Sequence, residues 1–136
     1  MDTRKIETGL ARITLGILVI YVPAETWVSL PYGLLHPMYL VDVVAMLLLL
    51  FGSWFSLRSR PRSAAGPLAA AWAWTSANGW RATSWRWLEV REGGSLDLGA
   101  AELWATAGGT ALSLICCVLA LILACKPSTA LAPGSE

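Results

Sequence analysis

The polar side chains that interrupt or edge the apolar runs of this chain are the ones placed to do chemistry: Glu25, His36, Asp42, Asn78, Arg81 and Glu102. Asn78 and Arg81 stand three residues apart, so on a helix they share a face, with Trp74 and Trp85 one turn away on either side. An aromatic-walled stripe carrying an amide and a guanidinium can hold an anionic headgroup or a small acid. Glu25, His36 or Asp42 could then move a proton beside it. Asp42 is the carboxylate expected to pair with Arg81. The plainer reading of the same residues is an electrostatic clasp that fixes helix order, with Glu25, His36 and Glu102 solvated at helix ends. Ordinary interfacial charges and a single intramembrane acid–base pair favour that plainer reading.

No other chemistry is encoded. The single histidine, His36, has no second histidine and no cysteine or carboxylate at ligand spacing, so the sequence implies neither a metal nor a haem site. No cofactor is implied either: there is no phosphate-cradling Gly-Lys-Ser or Gly-Lys-Thr loop, no Gly-x-Gly-x-x-Gly, and no His-Glu-x-x-His. Cys116 and Cys117 are adjacent on one run and read as small packing residues; Cys125, beside Lys126, reads as interfacial. Ala105, Gly109, Ser113 and Cys117 recur at four-residue spacing, a small-residue seam that lets another helix come close, within the bundle or between protomers.

The elements that must position these groups follow from the solvent the composition demands. A chain of 136 residues that is 56% hydrophobic and 14% charged, with a mean hydropathy of +0.58, has more apolar surface than a water-soluble domain of its size can hide. Lipid must cover the excess. A net charge of +1 provides no field for nucleic acid. The apolar runs at about 9–29, 38–57 and 100–125 each exceed the roughly 18 to 20 residues a helix needs to cross about 30 Å of hydrocarbon. Pro37 suits the first position of the second helix, and Gly93, Gly94, Ser95 and Asp97 read as turn and cap before the last. The fold class is therefore all-α: a polytopic four-transmembrane-helix bundle in one domain, residues 1–126, followed by a disordered tail at 127–136 rich in Ser, Ala, Pro and Gly.

The run at about 67–88 is the ambiguous one. It either crosses, with Arg81 and Arg86 reaching to the headgroups, or lies flat in the interface as an amphipathic helix. Its polar residues gather at one end and not along one face, which favours crossing. With four crossings, Arg4, Lys5, Arg12, Arg58, Arg60, Arg62 and Lys126 all fall on one side, making that side cytoplasmic and both termini internal, in a plasma (inner) membrane. Val22-Pro23-Ala24 resembles a signal-peptide cleavage site, but the apolar run continues through Trp27 and Val28, so the first helix is expected to stay attached as a signal anchor.

Arg12-Ile13-Thr14-Leu15-Gly16, Asp42 opening the second run before Met46-Leu47-Leu48-Leu49-Leu50-Phe51-Gly52, the Arg58/Arg60/Arg62 loop and an alanine-rich third run together resemble the DoxX-like four-helix membrane proteins over about residues 9–77. The chain departs from that pattern at Val22-Pro23-Ala24-Glu25, where glycine and lysine are usual, and at Asp42, where glutamate is common. The resemblance implies a membrane subunit of a redox assembly and transfers no catalytic residue. The expected function is an accessory or scaffold subunit whose partners are membrane lipid and another membrane or peripheral protein, or a second copy of the chain. The alternatives are a lipid- or quinone-linked membrane enzyme and a small transporter subunit, both using the outer polar pocket.

Overall fold

The structure is a computed structural model that describes residues 3–58, 65–92 and 96–125. It contains four long helices, α1 (Thr3–Ser29), α2 (Pro37–Arg58), α3 (Ala65–Arg91) and α4 (Leu96–Cys125), with one 3-10 turn at Leu30–Tyr32 between the first two. α1, α2 and α4 are long and apolar enough to cross a membrane. The expected tail at 127–136, the turn at Gly93, Gly94 and Ser95, and the loop carrying Arg60 and Arg62 lie outside the described residues.

The helices outrun the apolar segments. α1 begins at Thr3 and not near residue 9, α3 covers Ala65–Arg91, and α4 begins at Leu96, which places Asp97 inside its first turn and not at a cap. Apolar composition marks the stretch that suits hydrocarbon, whereas the backbone ladder continues wherever successive N–H and C=O groups can pair. α2 starts as expected at Pro37. Its preceding residue, His36, caps it: the His36 carbonyl accepts from Leu40 N at 3.1 Å and the ring Nδ1 accepts from Met38 N at 3.3 Å. Gly33, at φ 87, makes the left-handed turn that lets the chain double back.

Contacts between the helices fix an up-down-up-down order. α1 and α2 run antiparallel, joined at one end where Arg4 donates to the Ser56 carbonyl (2.9 Å) and at the other where Thr26 and Tyr39 share a hydrogen bond of 2.9 Å. α2 and α3 are antiparallel too, with Gly52 against Leu68 and Met38 against Arg81. α3 then follows α4 along its length: Cys117 meets the Ala69 carbonyl, Gly79 meets Thr110 and Arg86 meets Glu102. α3 is therefore a full member of the bundle, aligned with the three apolar helices. A helix lying flat across their ends could not make these contacts.

The core occupies one half of this bundle. Among the described residues, the buried side chains are Glu7 to Leu18 on α1, Ala45 to Ser56 on α2, Ala65 to Ser76 on α3 and Thr110 to Leu123 on α4, with Leu103 the one outlier. At its centre the Trp72 indole Nε1 donates to Thr14 Oγ1 at 3.1 Å, tying α3 to its parallel neighbour α1. This is the half where α1 and α3 begin and α2 and α4 end. Large apolar side chains such as Val19, Trp27, Leu47, Phe51, Trp104 and Ile115 are exposed, as lipid-facing surfaces of a membrane bundle are.

Candidate functional site

The other half, beyond the core, holds the polar residues singled out in the sequence. Tyr21, one turn before Glu25 on α1, donates its hydroxyl to Asp42 Oδ1 at 3.2 Å. One turn further out, Thr26 bonds Tyr39 at 2.9 Å and also donates back to the Val22 carbonyl at 2.7 Å. These two hydrogen bonds form a polar seam between α1 and α2. Glu25 is half-buried, one turn beyond Tyr21 on α1.

Arg81 makes no ion pair with Asp42 within 4 Å; it donates to the Met38 sulfur at 3.5 Å. The expected direct Asp42–Arg81 pair is thus replaced by a Tyr21–Asp42 hydrogen bond. The phenol lies on the adjoining helix at the same depth and reaches the carboxylate directly. Arg86, on the α4 side of α3, pairs with Glu102 at 2.7 Å and with Glu89 at 3.6 Å. Above the core, then, α1 meets α2 through one polar set and α3 meets α4 through another, with Arg81 and Met38 bridging the two helix pairs.

The stripe of Trp74, Asn78, Arg81 and Trp85 is not the face of α3 that packs on α4. α3 turns Gly79 and Thr83 toward Thr110 of α4, the two threonine hydroxyls sharing a 3.0 Å hydrogen bond. The stripe therefore lies round the helix, and both tryptophans are exposed. Trp85 donates to Glu89 Oε1 of its own helix at 2.8 Å. Asn78 Nδ2 is buried without a hydrogen-bond partner. His36 caps α2.

The four-residue seam on α4 also divides. Ser113 and Cys117 are buried, whereas Ala105 and Gly109 are exposed. With 3.6 residues per turn, four-residue steps drift about 40° each around the axis, so such a line cannot stay on one neighbour. The buried line is Thr110, Ser113, Cys117 and Ala120, whose alternating steps of three and four track the helix axis. Cys116 and Cys117 are buried free thiols and Cys125 is exposed. No cluster of three or more His, Cys, Asp or Glu able to hold a metal occurs among the described residues.

The sequence reading missed Tyr21, Thr26, Tyr39 and Thr83, all of which make the outer inter-helix bonds. Hydroxyl residues inside apolar runs carry no signal of their own until the facing helix is known. Comparison with protein-family models, with curated proteins and with solved structures finds no match to this chain.

Proposed function

We propose that this small membrane protein is an accessory or scaffold subunit of a membrane assembly, without turnover of its own. The observation that carries the reading is how the outer polar groups are used. Tyr21–Asp42, Thr26–Tyr39, Thr83–Thr110 and Arg86–Glu102 each tie one helix to its neighbour, which is the work of clasps and not of groups converging on a substrate. The surface supports it as well. A Cβ added at Gly108 or Gly109 would meet nothing within 4 Å, and Ala101 and Ala105 on the same helix are exposed, so α4 offers a small-residue face to a helix of a partner or of a second copy. The resemblance to DoxX-like proteins points to a redox-linked assembly as the class of partner. Positive charge gathered at the end where α1 begins and α2 ends makes that end cytoplasmic, with both termini inside and the bundle in a plasma (inner) membrane.

A second reading rests on Asn78, whose buried, unpartnered Nδ2 could donate to a carbonyl or anionic oxygen. It makes the outer half a site for a lipid or quinone. Native mass spectrometry after gentle extraction separates the two. The scaffold reading expects a complex larger than the monomer that dissociates when Gly108→Leu and Gly109→Leu are introduced. A monodisperse monomer retaining one ligand, lost in a folded Arg81→Leu variant, would establish the second reading instead.

A further inference from the structure

His36 stands at the joint between the turn after α1 and the start of α2. Its N–H donates to the Gly33 carbonyl at 3.0 Å, its carbonyl accepts from Leu40 N at 3.1 Å, and its ring Nδ1 accepts from Met38 N at 3.3 Å. The first N–H groups of a helix have no carbonyl partner within it. α2 begins with Pro37, which has no N–H, so Met38 offers the first one and the imidazole takes it. The same turn carries the ties of α2 to both neighbours at this end of the bundle. The Met38 sulfur accepts from Arg81 of α3 at 3.5 Å, and Tyr39 shares a hydroxyl hydrogen bond of 2.9 Å with Thr26 of α1.

Only a neutral imidazole can fill this place. Nδ1 accepts through a lone pair, and in a protonated ring both nitrogens are donors. The imidazolium would also stand at the positive end of the helix dipole, beside a methionine that a guanidinium already approaches. The surrounding charges offer little to offset it. The first turn of α2 has no acidic residue; Asp42, further along α2, accepts from Tyr21; Glu25 of α1 is half-buried, one turn beyond Tyr21. On α3 the charged groups towards this end are Arg81, Arg91 and the Arg86–Glu89 pair, and on α4 Glu102 is held by Arg86 at 2.7 Å. His36 itself is exposed, so its proton comes straight from solvent, and imidazole is the side chain that gains one between about pH 8 and 5.

We propose that His36 is a pH-sensitive latch on the outer end of α2. Neutral, it caps the helix and holds Met38 and Tyr39 against α3 and α1; protonated, it releases the Met38 amide and the turn bearing both ties comes loose, while the core half stays packed. The stabilisation is present above the range in which imidazole titrates and is lost as pH falls through it. Amide hydrogen exchange of the full chain in detergent, read by NMR between pH 8 and 5 with each rate divided by its intrinsic rate, tests the latch. Protection of the Met38 and Leu40 amides should fall about fivefold, the effect of losing one helix cap. The fall should share its midpoint with the ring signals of His36, the one histidine in the chain. The amides of Leu49 and Leu68, in the core, should not change and report that each variant is folded. His36→Asn, a cap that does not titrate, should keep protection at both ends of the range, and His36→Ala should lack it at both. Glu25→Gln and Asp42→Asn should keep the transition. Protection in the parent that does not depend on pH, a transition that persists in His36→Asn, or one that disappears in folded Glu25→Gln or Asp42→Asn would overturn the latch.

Discussion

The Arg4 guanidinium reaches the last carbonyls of α2, Ser56 at 2.9 Å and Leu57 at 3.3 Å, while facing the Glu7 carboxylate, which is 1% exposed. It thereby satisfies orphan acceptors at a helix end and offsets a buried negative charge with one side chain. Arg4→Gln should lower stability by about 1 to 2 kcal/mol, held to that range because the Arg4 side chain is 40% exposed and water screens it. Thermal unfolding followed by helicity in detergent measures the loss, and adding Glu7→Gln should recover part of it. If the double variant is no more stable than Arg4→Gln, the Glu7 charge is not what Arg4 offsets. A second residue-scale prediction concerns Trp72, whose buried N–H has Thr14 Oγ1 as its acceptor. Thr14→Val should cost about 1 to 3 kcal/mol by stranding that N–H, and Thr14→Val with Trp72→Phe should show a coupling energy of opposite sign to the two single losses. Additive losses would mean that the bond contributes nothing measurable. Neither role was legible in the sequence. Arg4 reads there only as one of several positive charges near the first run, because the carbonyls it caps belong to a helix end 52 residues away. Asp42 was legible as a membrane carboxylate in need of a partner, but a tyrosine inside an apolar run carries no signal until the facing helix is known, so its hydrogen bond to Tyr21 was not.

At the scale of elements, the apolar runs gave the number and order of the helices, since lipid demands long uninterrupted backbone ladders and composition records that demand. Where helices touch was less legible. The small residues of α4 were visible as a four-residue pattern, yet half of that pattern faces outward, and the glycines that permit the closest approaches carry no periodic signal. Gly52 is one: a Cβ there would lie 2.8 Å from the Leu68 Cα and 3.1 Å from the Pro67 carbonyl oxygen, both backbone atoms. Gly79 is the other, where the Cβ would lie 2.6 Å from Thr110 Oγ1, a side-chain atom. Gly52→Ala should therefore destabilise more than Gly79→Ala, because α2 and α3 must move apart to admit it, a cost of about 1 to 3 kcal/mol for overpacking. Gly16 has nothing within 4 Å of its added Cβ, and Gly16→Ala should be neutral or stabilising by up to about 1 kcal/mol through helix propensity. Unfolding temperatures of the three variants in one detergent rank them. Equal losses at Gly52 and Gly16 would show that the α2–α3 approach is looser than described.

For the whole molecule, the third run takes its alignment from its neighbours and not from its own composition. Alone, α3 carries too many polar residues to be recognised as a span. In the bundle it lies antiparallel to α2 and α4, with Leu68 at Gly52, Ala69 at Cys117 and Arg86 at Glu102 marking successive levels. If α1, α2 and α4 cross the membrane, a helix aligned with them crosses too, and its arginines emerge on the side opposite Arg4 and Arg58. That side mixes Arg81, Arg86 and Arg91 with Glu89, Glu92 and Glu102, while Arg4, Lys5, Arg12 and Arg58 face the other with Glu7 as their described acidic neighbour. The asymmetry of Lys and Arg near helix ends sets orientation during insertion. Reporters fused after Arg62 and after Glu136 should thus both read as cytoplasmic, and one inserted between Gly93 and Gly94 as external. Neutralising Arg4, Lys5 and Arg12 together should weaken this bias, giving a mixed population at the Gly93–Gly94 reporter, whereas neutralising Arg86 and Arg91 should leave it unchanged. A cytoplasmic reading between Gly93 and Gly94 combined with an external C-terminus would place α3 on the cytoplasmic face, contrary to the antiparallel contacts that give the bundle its core.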